Sequence, residues 1–171
     1  MDKQDKLHQL FFSYPMRKFG VRELSRITHL NSKTVMKYLR RMVRKGIAVR
    51  IKQKNSYPYY EANRLLKKYK LAKSTSLLEK LASSGIIDYL EQKLKPKAIV
   101  LFGSAQKGTY LKTSDVDIFI QAKETKIDLQ SYEQKLKHEI QLFFEENMSN
   151  LTTGLRNNII NGNTLSGALI L

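Results

Sequence analysis

Ala98-Ile99-Val100-Leu101-Phe102-Gly103-Ser104 is an apolar run that stops on a glycine–serine pair. After a ten-residue spacer, Asp115-Val116-Asp117 runs directly into a second apolar stretch, Ile118-Phe119-Ile120. The first run has the character of a buried strand. In the second, alternation places Asp115 and Asp117 on one face and Val116, Ile118 and Ile120 on the other, where they can enter a core. Two carboxylates held close together on a rigid strand repel each other, and a cation between them relieves that repulsion. Gly103 lets the backbone approach a phosphate closely. Ser104 adds a hydroxyl and a backbone N–H at the start of an expected short helix, a favourable position for an anion. One end of the site therefore suits a triphosphate and the other Mg²⁺ or Mn²⁺, the two requirements of phosphoryl-group chemistry.

Leu101-Phe102-Gly103-Ser104 followed by Ser114-Asp115-Val116-Asp117-Ile118 resembles the polymerase-beta-type nucleotidyltransferase superfamily, and within it the minimal nucleotidyltransferases. The resemblance covers about residues 96–171. It implies a mixed sheet flanked by helices, a divalent cation, and transfer of a nucleoside monophosphate, AMP being the expected one, from a nucleoside triphosphate. Carried over by position, Gly103 and Ser104 would bind phosphate, and Asp115 and Asp117 would bind metal and act in catalysis. The spacer also matches nucleotidyltransferase antitoxins paired with HEPN-domain RNase toxins, which makes such a toxin a candidate partner or acceptor.

Active members of the superfamily place a third Asp or Glu on a later strand. Here that strand is expected at Glu139-Ile140-Gln141-Leu142-Phe143-Phe144, with Gln141 at the carboxylate position. A neutral amide cannot replace a carboxylate as a metal ligand or as a base. Glu139, one alternation earlier, is the candidate substitute, with Glu145 the next choice; otherwise catalysis is impaired.

Upstream, the pattern changes. Leu7, Leu10, Phe11 and Tyr14 recur at helical spacing as far as Pro15, and Val21, Leu24 and Ile27 form a second amphipathic segment. A third helix is expected from an N-cap at Asn31 or Ser32 to a stop at Gly46. At 100° per residue from Lys33, Lys37 falls at about 40°, Arg40 at about −20° and Arg44 at about 20°, while Val35, Leu39, Met42 and Val43 fall at roughly 180–280°. One face is thus a basic stripe, joined by Arg41, and the other is apolar. Ile47, Val49 and Ile51 then alternate as a strand, Lys52 and Lys54 lie in or beside a polar turn, and Tyr57–Glu61 reads as a return strand. Three helices and a basic-tipped hairpin resemble a winged helix-turn-helix domain over about residues 5–62. That resemblance implies double-stranded DNA as partner, with the third helix (Lys33, Lys37, Arg40, Arg41, Arg44) in the major groove and the wing (Lys52, Lys54) on the backbone.

Residues 63–95 read as helical, with a restart capped at Ser74-Thr75-Ser76, an interruption at Ser83-Ser84-Gly85 and an end at Pro96. The apolar stripe of this connector packs within the chain or, alternatively, forms a homodimer seam. In the tail, a short helix ends at Gly162 and the segment from Thr164 packs back on the domain.

Composition agrees with this division. The 171 residues carry a formal net charge of +16, with 16 Lys/Arg and 4 Asp/Glu in residues 1–66 and 15 and 11 in residues 67–171. The polyanion signal therefore belongs to the first third, with nucleic acid favoured over an anionic membrane surface. The absence of cysteine excludes disulfides, thiolate metal sites and cysteine nucleophiles. No apolar run approaches a membrane span, and Met1-Asp2-Lys3-Gln4-Asp5-Lys6 lacks the apolar core of a secretory signal, so a cytoplasmic protein is expected. The expected architecture is α+β: a winged helix-turn-helix over 1–63, a helical connector over 64–95, and a minimal nucleotidyltransferase domain with a mixed sheet over 96–171.

Overall fold

The computed structural model describes residues 3–171. Met1 and Asp2, part of the segment read above for a secretory signal, lie outside the described residues. The chain divides into two compact units between Lys73 and Ser74. The division falls inside one helix, so residues 64–73 belong to the first unit and 74–95 to the second.

In the first unit, α1 (Lys3–Ser13), α2 (Val21–Thr28) and α3 (Ser32–Arg44) pack against a small antiparallel sheet of order β1-β3-β2. The strands are β1 (Phe19–Gly20), β2 (Ala48–Ile51) and β3 (Tyr59–Ala62). Leu7, Phe11, Phe19, Leu24, Val35, Leu39 and Met42 form a fully buried core. Asn31 caps α3 by accepting from the Thr34 N–H at 2.8 Å. At the far end Gly46 adopts φ +73°, and its N–H and that of Ile47 donate to the carbonyls of Val43 and Met42, ending the helix where expected.

Several local expectations are corrected here. Ile27 and Val43, read as core-facing, are exposed. Helix α2 meets the core through Leu24 and Thr28 instead, and the buried Thr28 hydroxyl donates to the Leu24 carbonyl at 2.6 Å. Val43 lies at the edge of the apolar sector of α3. The return strand begins at Tyr59 rather than Tyr57, and Tyr57 stands in solvent. The two-residue β1, which pairs with β3, is too short to leave a periodic trace.

Helix α4 (Lys67–Ser84) runs unbroken through Ser74-Thr75-Ser76, so no helix restarts there. The Ser74 hydroxyl donates to the Gln106 carbonyl at 2.7 Å instead of capping a helix. The break comes at Gly85, with φ +81°, before α5 (Ile86–Leu94).

The second unit is built on a four-stranded mixed sheet of order β6-β5-β4-β7. Strand β4 (Ala98–Leu101) leads into the short α6 (Gly103–Lys107) and pairs antiparallel with β5 (Val116–Ile120) and β7 (Asn163–Gly167). Strand β6 (Ile140–Phe144) runs parallel to β5, joined to it through α7 (Gln130–Leu136). Both faces are covered. Ile99, Leu101, Val116, Ile118 and Ile120 pack with Leu77, Leu81, Ile86 and Leu90 of α4 and α5. Val100 and Phe119 pack on the other face with Met148 and with Ile159 of α8 (Thr153–Ile160). The tail is tied down by the buried Gln121, whose amide accepts from the Ile170 N–H and donates to its carbonyl.

Candidate functional site

The end of β4 and the start of β5 meet at one point. The Phe102 N–H donates to the Asp117 carbonyl at 3.1 Å, bringing Gly103 against the Asp117 side chain. Gly103 has φ +71°, and a Cβ built there would overlap the Asp117 carboxylate. Glycine is thus required twice, by backbone conformation and by this close approach. Ser104 and the buried Ala105 follow in α6.

Asp115 immediately precedes β5 and is exposed; Asp117 is half-buried within the strand. Burial and then the neighbouring Asp115 carboxylate raise the Asp117 pKa above its ordinary value. The two carboxylates therefore feel each other. Asp115 is set by a turn in which the Leu111 N–H donates to the Ser114 hydroxyl at 2.9 Å and the Ser114 N–H to the Leu111 carbonyl at 3.1 Å.

This turn is pinned to the start of β6. The Val116 N–H donates to the Glu139 carbonyl at 2.9 Å, and His138 Nδ1 lies 2.9 Å from the Ser114 carbonyl. A carbonyl only accepts, so His138 carries its proton on Nδ1. Glu133 accepts from the Ile140 N–H at 2.9 Å. The Glu133 contact joins residues seven apart across the turn between α7 and β6 and has no local sequence signal. Asp115, Glu133, His138 and Glu139 line one open cleft of about 460 Å³ together with Lys112 and Lys137.

The strand register shows what lies opposite the Asp pair. Asp117 is the direct partner of Gln141 across the parallel β5–β6 pair, and Gln141 is exposed. The strand expected over Glu139–Phe144 begins at Ile140, leaving Glu139 just before it. Glu145 lies past the far end of β6, roughly 13 Å along the strand from Gln141 at about 3.3 Å per residue. It is engaged in accepting from the Asn147 N–H and the Asn150 amide, which hold its pKa below the ordinary value. Its position removes it as a substitute ligand.

Among the described residues, no group of three or more His, Asp or Glu side chains stands close enough to hold a metal together. Asp115 and Asp117 remain as a pair of oxygen donors. That pair fits Mg²⁺, which is commonly held by one or two carboxylates with substrate phosphates and water completing the shell.

In the first unit, Lys33, Lys37, Arg40, Arg41 and Arg44 are all exposed on α3 and, with Thr34 and Met36, line a concave surface of about 700 Å³. Lys52 and Lys54 are exposed beyond β2. A second set of cations escaped the sequence reading: Arg22 lies over the Tyr57 ring at 5.9 Å and Lys18 over the Tyr59 ring at 5.0 Å. Only the pairing of β1 with β3 brings these residues together. No helix among the described residues is long and apolar enough to cross a membrane.

Comparison with known families gives two matches. Residues 83–162 match the model of the nucleotidyltransferase domain, and residues 21–99 match that of the penicillinase repressor. No curated protein and no solved structure matches the chain. The chain thus joins a winged-helix-like, DNA-binding region similar to the penicillinase repressor to a region similar to the nucleotidyltransferase domain, the arrangement of polymerase-beta-type architecture.

Proposed function

We propose that the protein docks on duplex DNA through α3 and its hairpin, and that its second unit binds a nucleoside triphosphate with Mg²⁺ or Mn²⁺ and transfers the monophosphate, AMP from ATP, to an acceptor. The functional division is that of the sequence reading: DNA recognition in 1–63, a connector in 64–95 and nucleotide chemistry in 96–171. The observation that carries the nucleotide half is the fit of Gly103 against Asp117. A bare backbone stands beside a carboxylate pair, so phosphate can come close to one and a cation to the other. Gly103 makes room for the Asp117 carboxylate beside an unobstructed backbone that the β- and γ-phosphates can approach, and Ser104 supplies a hydroxyl donor to them. Asp115 and Asp117 would hold the divalent cation, which supplies neutralisation of phosphate charge. Glu139, in the cleft beside Asp115, is the base available to an acceptor hydroxyl.

A specific observation favours a second reading. Gln141 stands opposite Asp117, and an amide neither ligates strongly nor takes a proton. In that reading the protein is a cytoplasmic DNA-binding regulator or antitoxin. Its second unit senses a nucleotide or docks a partner such as a HEPN-type RNase, with little turnover.

Incubation with labelled ATP and Mg²⁺, with and without DNA and candidate partner proteins, separates the two. Label on an acceptor supports transfer. Metal-dependent ATP binding without transfer supports the regulator. ATP binding that is indifferent to chelation removes the metal–nucleotide site from both.

A further inference from the structure

The concave surface on α3 contains one side chain that a phosphate-binding face does not need. Five of its lining residues are cations and Thr34 is polar; the remaining one is Met36, which is 38% exposed. It does not belong to the helix's buried side, where Val35, Leu39 and Met42 are completely enclosed. Lys33 lies three residues before it and Arg40 four after it, so both are its neighbours on the helix surface. At 100° per residue from Lys33, Met36 falls at about −60°, so it borders the cationic face between Arg40 and Val43, in the second turn of a helix that starts at Ser32.

Lysines and arginines on such a face bind phosphates of any sequence. An exposed thioether among them gains nothing from phosphate. It gains from an apolar group lying in the same groove. The major groove of duplex DNA offers one such group on its base edges, the thymine 5-methyl. We infer that Met36 is a base-reading residue that packs on a thymine methyl in the major groove, making recognition dependent on thymine at one position of the site. This rests on the proposed docking of α3 in duplex DNA. The surrounding positive charge supplies the complementarity that brings the duplex there.

The test uses the full chain and duplexes enriched from a random pool. In the best-binding duplex, each thymine in turn is replaced by uracil, which removes the 5-methyl and leaves the base-pairing edge unchanged. Burial of about one carbon predicts a loss of about fourfold in affinity at one position. Met36→Ala should lose about the same on the thymine duplex and show no further loss with uracil. Met36→Leu should retain the discrimination. Met36 is exposed, so neither variant threatens the core. Uniform indifference to uracil, or a uracil penalty that survives in Met36→Ala, overturns the assignment while leaving DNA docking intact. A pool with no enrichment and no salt-sensitive duplex binding overturns the docking itself, and the assignment with it.

Discussion

Asp117 and Gln141 face each other as direct partners on adjacent parallel strands. Side chains so paired share a face of the sheet at close spacing. In the proposed transfer chemistry, a third carboxylate would be expected at this position, where the chain has an amide. Gln141→Asp should raise transfer of AMP by about 10- to 100-fold if proton abstraction is what limits turnover. Glu139→Gln should lower whatever wild-type transfer exists. Product formation from labelled ATP reads both. Wild-type transfer unaffected by either change would remove this strand from the chemistry.

Gly103 carries both a positive φ and a closely apposed carboxylate. Gly103→Ala should cost about 1–2 kcal/mol for the left-handed backbone alone, and more for the overlap with Asp117. Adding Asp117→Ala removes the overlap, so the double variant should be less destabilised than the sum of the two single variants. Urea unfolding of all four proteins measures this coupling. Strict additivity would mean that the two residues do not press on each other.

Arg40→Ala with Arg44→Ala should weaken duplex binding and flatten its dependence on salt, because fewer counterions are released. Lys52→Ala with Lys54→Ala should give a smaller loss that is the same for every duplex sequence. Fluorescence anisotropy at three or four salt concentrations gives both slopes. An unchanged slope in the α3 variant would move the DNA contact elsewhere.

Burial pushes the Tyr110 pKa up to about 12 from an ordinary value of 10.0. The folded state then keeps a proton that the unfolded state loses, so folding stability contributed by this group falls as pH rises from about 10 to about 12. Tyr110→Phe should remove that part of the alkaline dependence. The stability difference between wild type and variant, measured from pH 9 upward, should shift in favour of the variant through this interval. A constant difference would contradict the burial argument.

The apolar runs on either side of the Gly-Ser pair and the Asp pair were legible because each element there follows one rule along its length. The basic face of α3 was legible for the same reason. What escaped depended on partners distant in sequence. Strand β1 exists because β3 offers it a pairing edge. Lys18 and Arg22 reach Tyr59 and Tyr57 only through that pairing. The exposure of Ile27 reflects how little of a short α2 can touch the core. Ser74-Thr75-Ser76 has the spelling of a helix cap, yet a continuous helix and a distant carbonyl acceptor took precedence. That Glu139 and Gln141 share one face of their strand was readable from alternation, but the alignment that pairs Gln141 with Asp117 was not.

Strand β6 is an outer strand of its sheet, and Gln141 is exposed on it. Folding therefore places little demand on that side chain. Glutamine avoids adding a third negative charge beside two carboxylates that already repel each other. Under the proposed transfer chemistry, a carboxylate at this position would bring a ligand or base and a third repelling charge together, so activity and stability would be set against each other at a single codon. Exchanging one for the other would leave the rest of the architecture untouched.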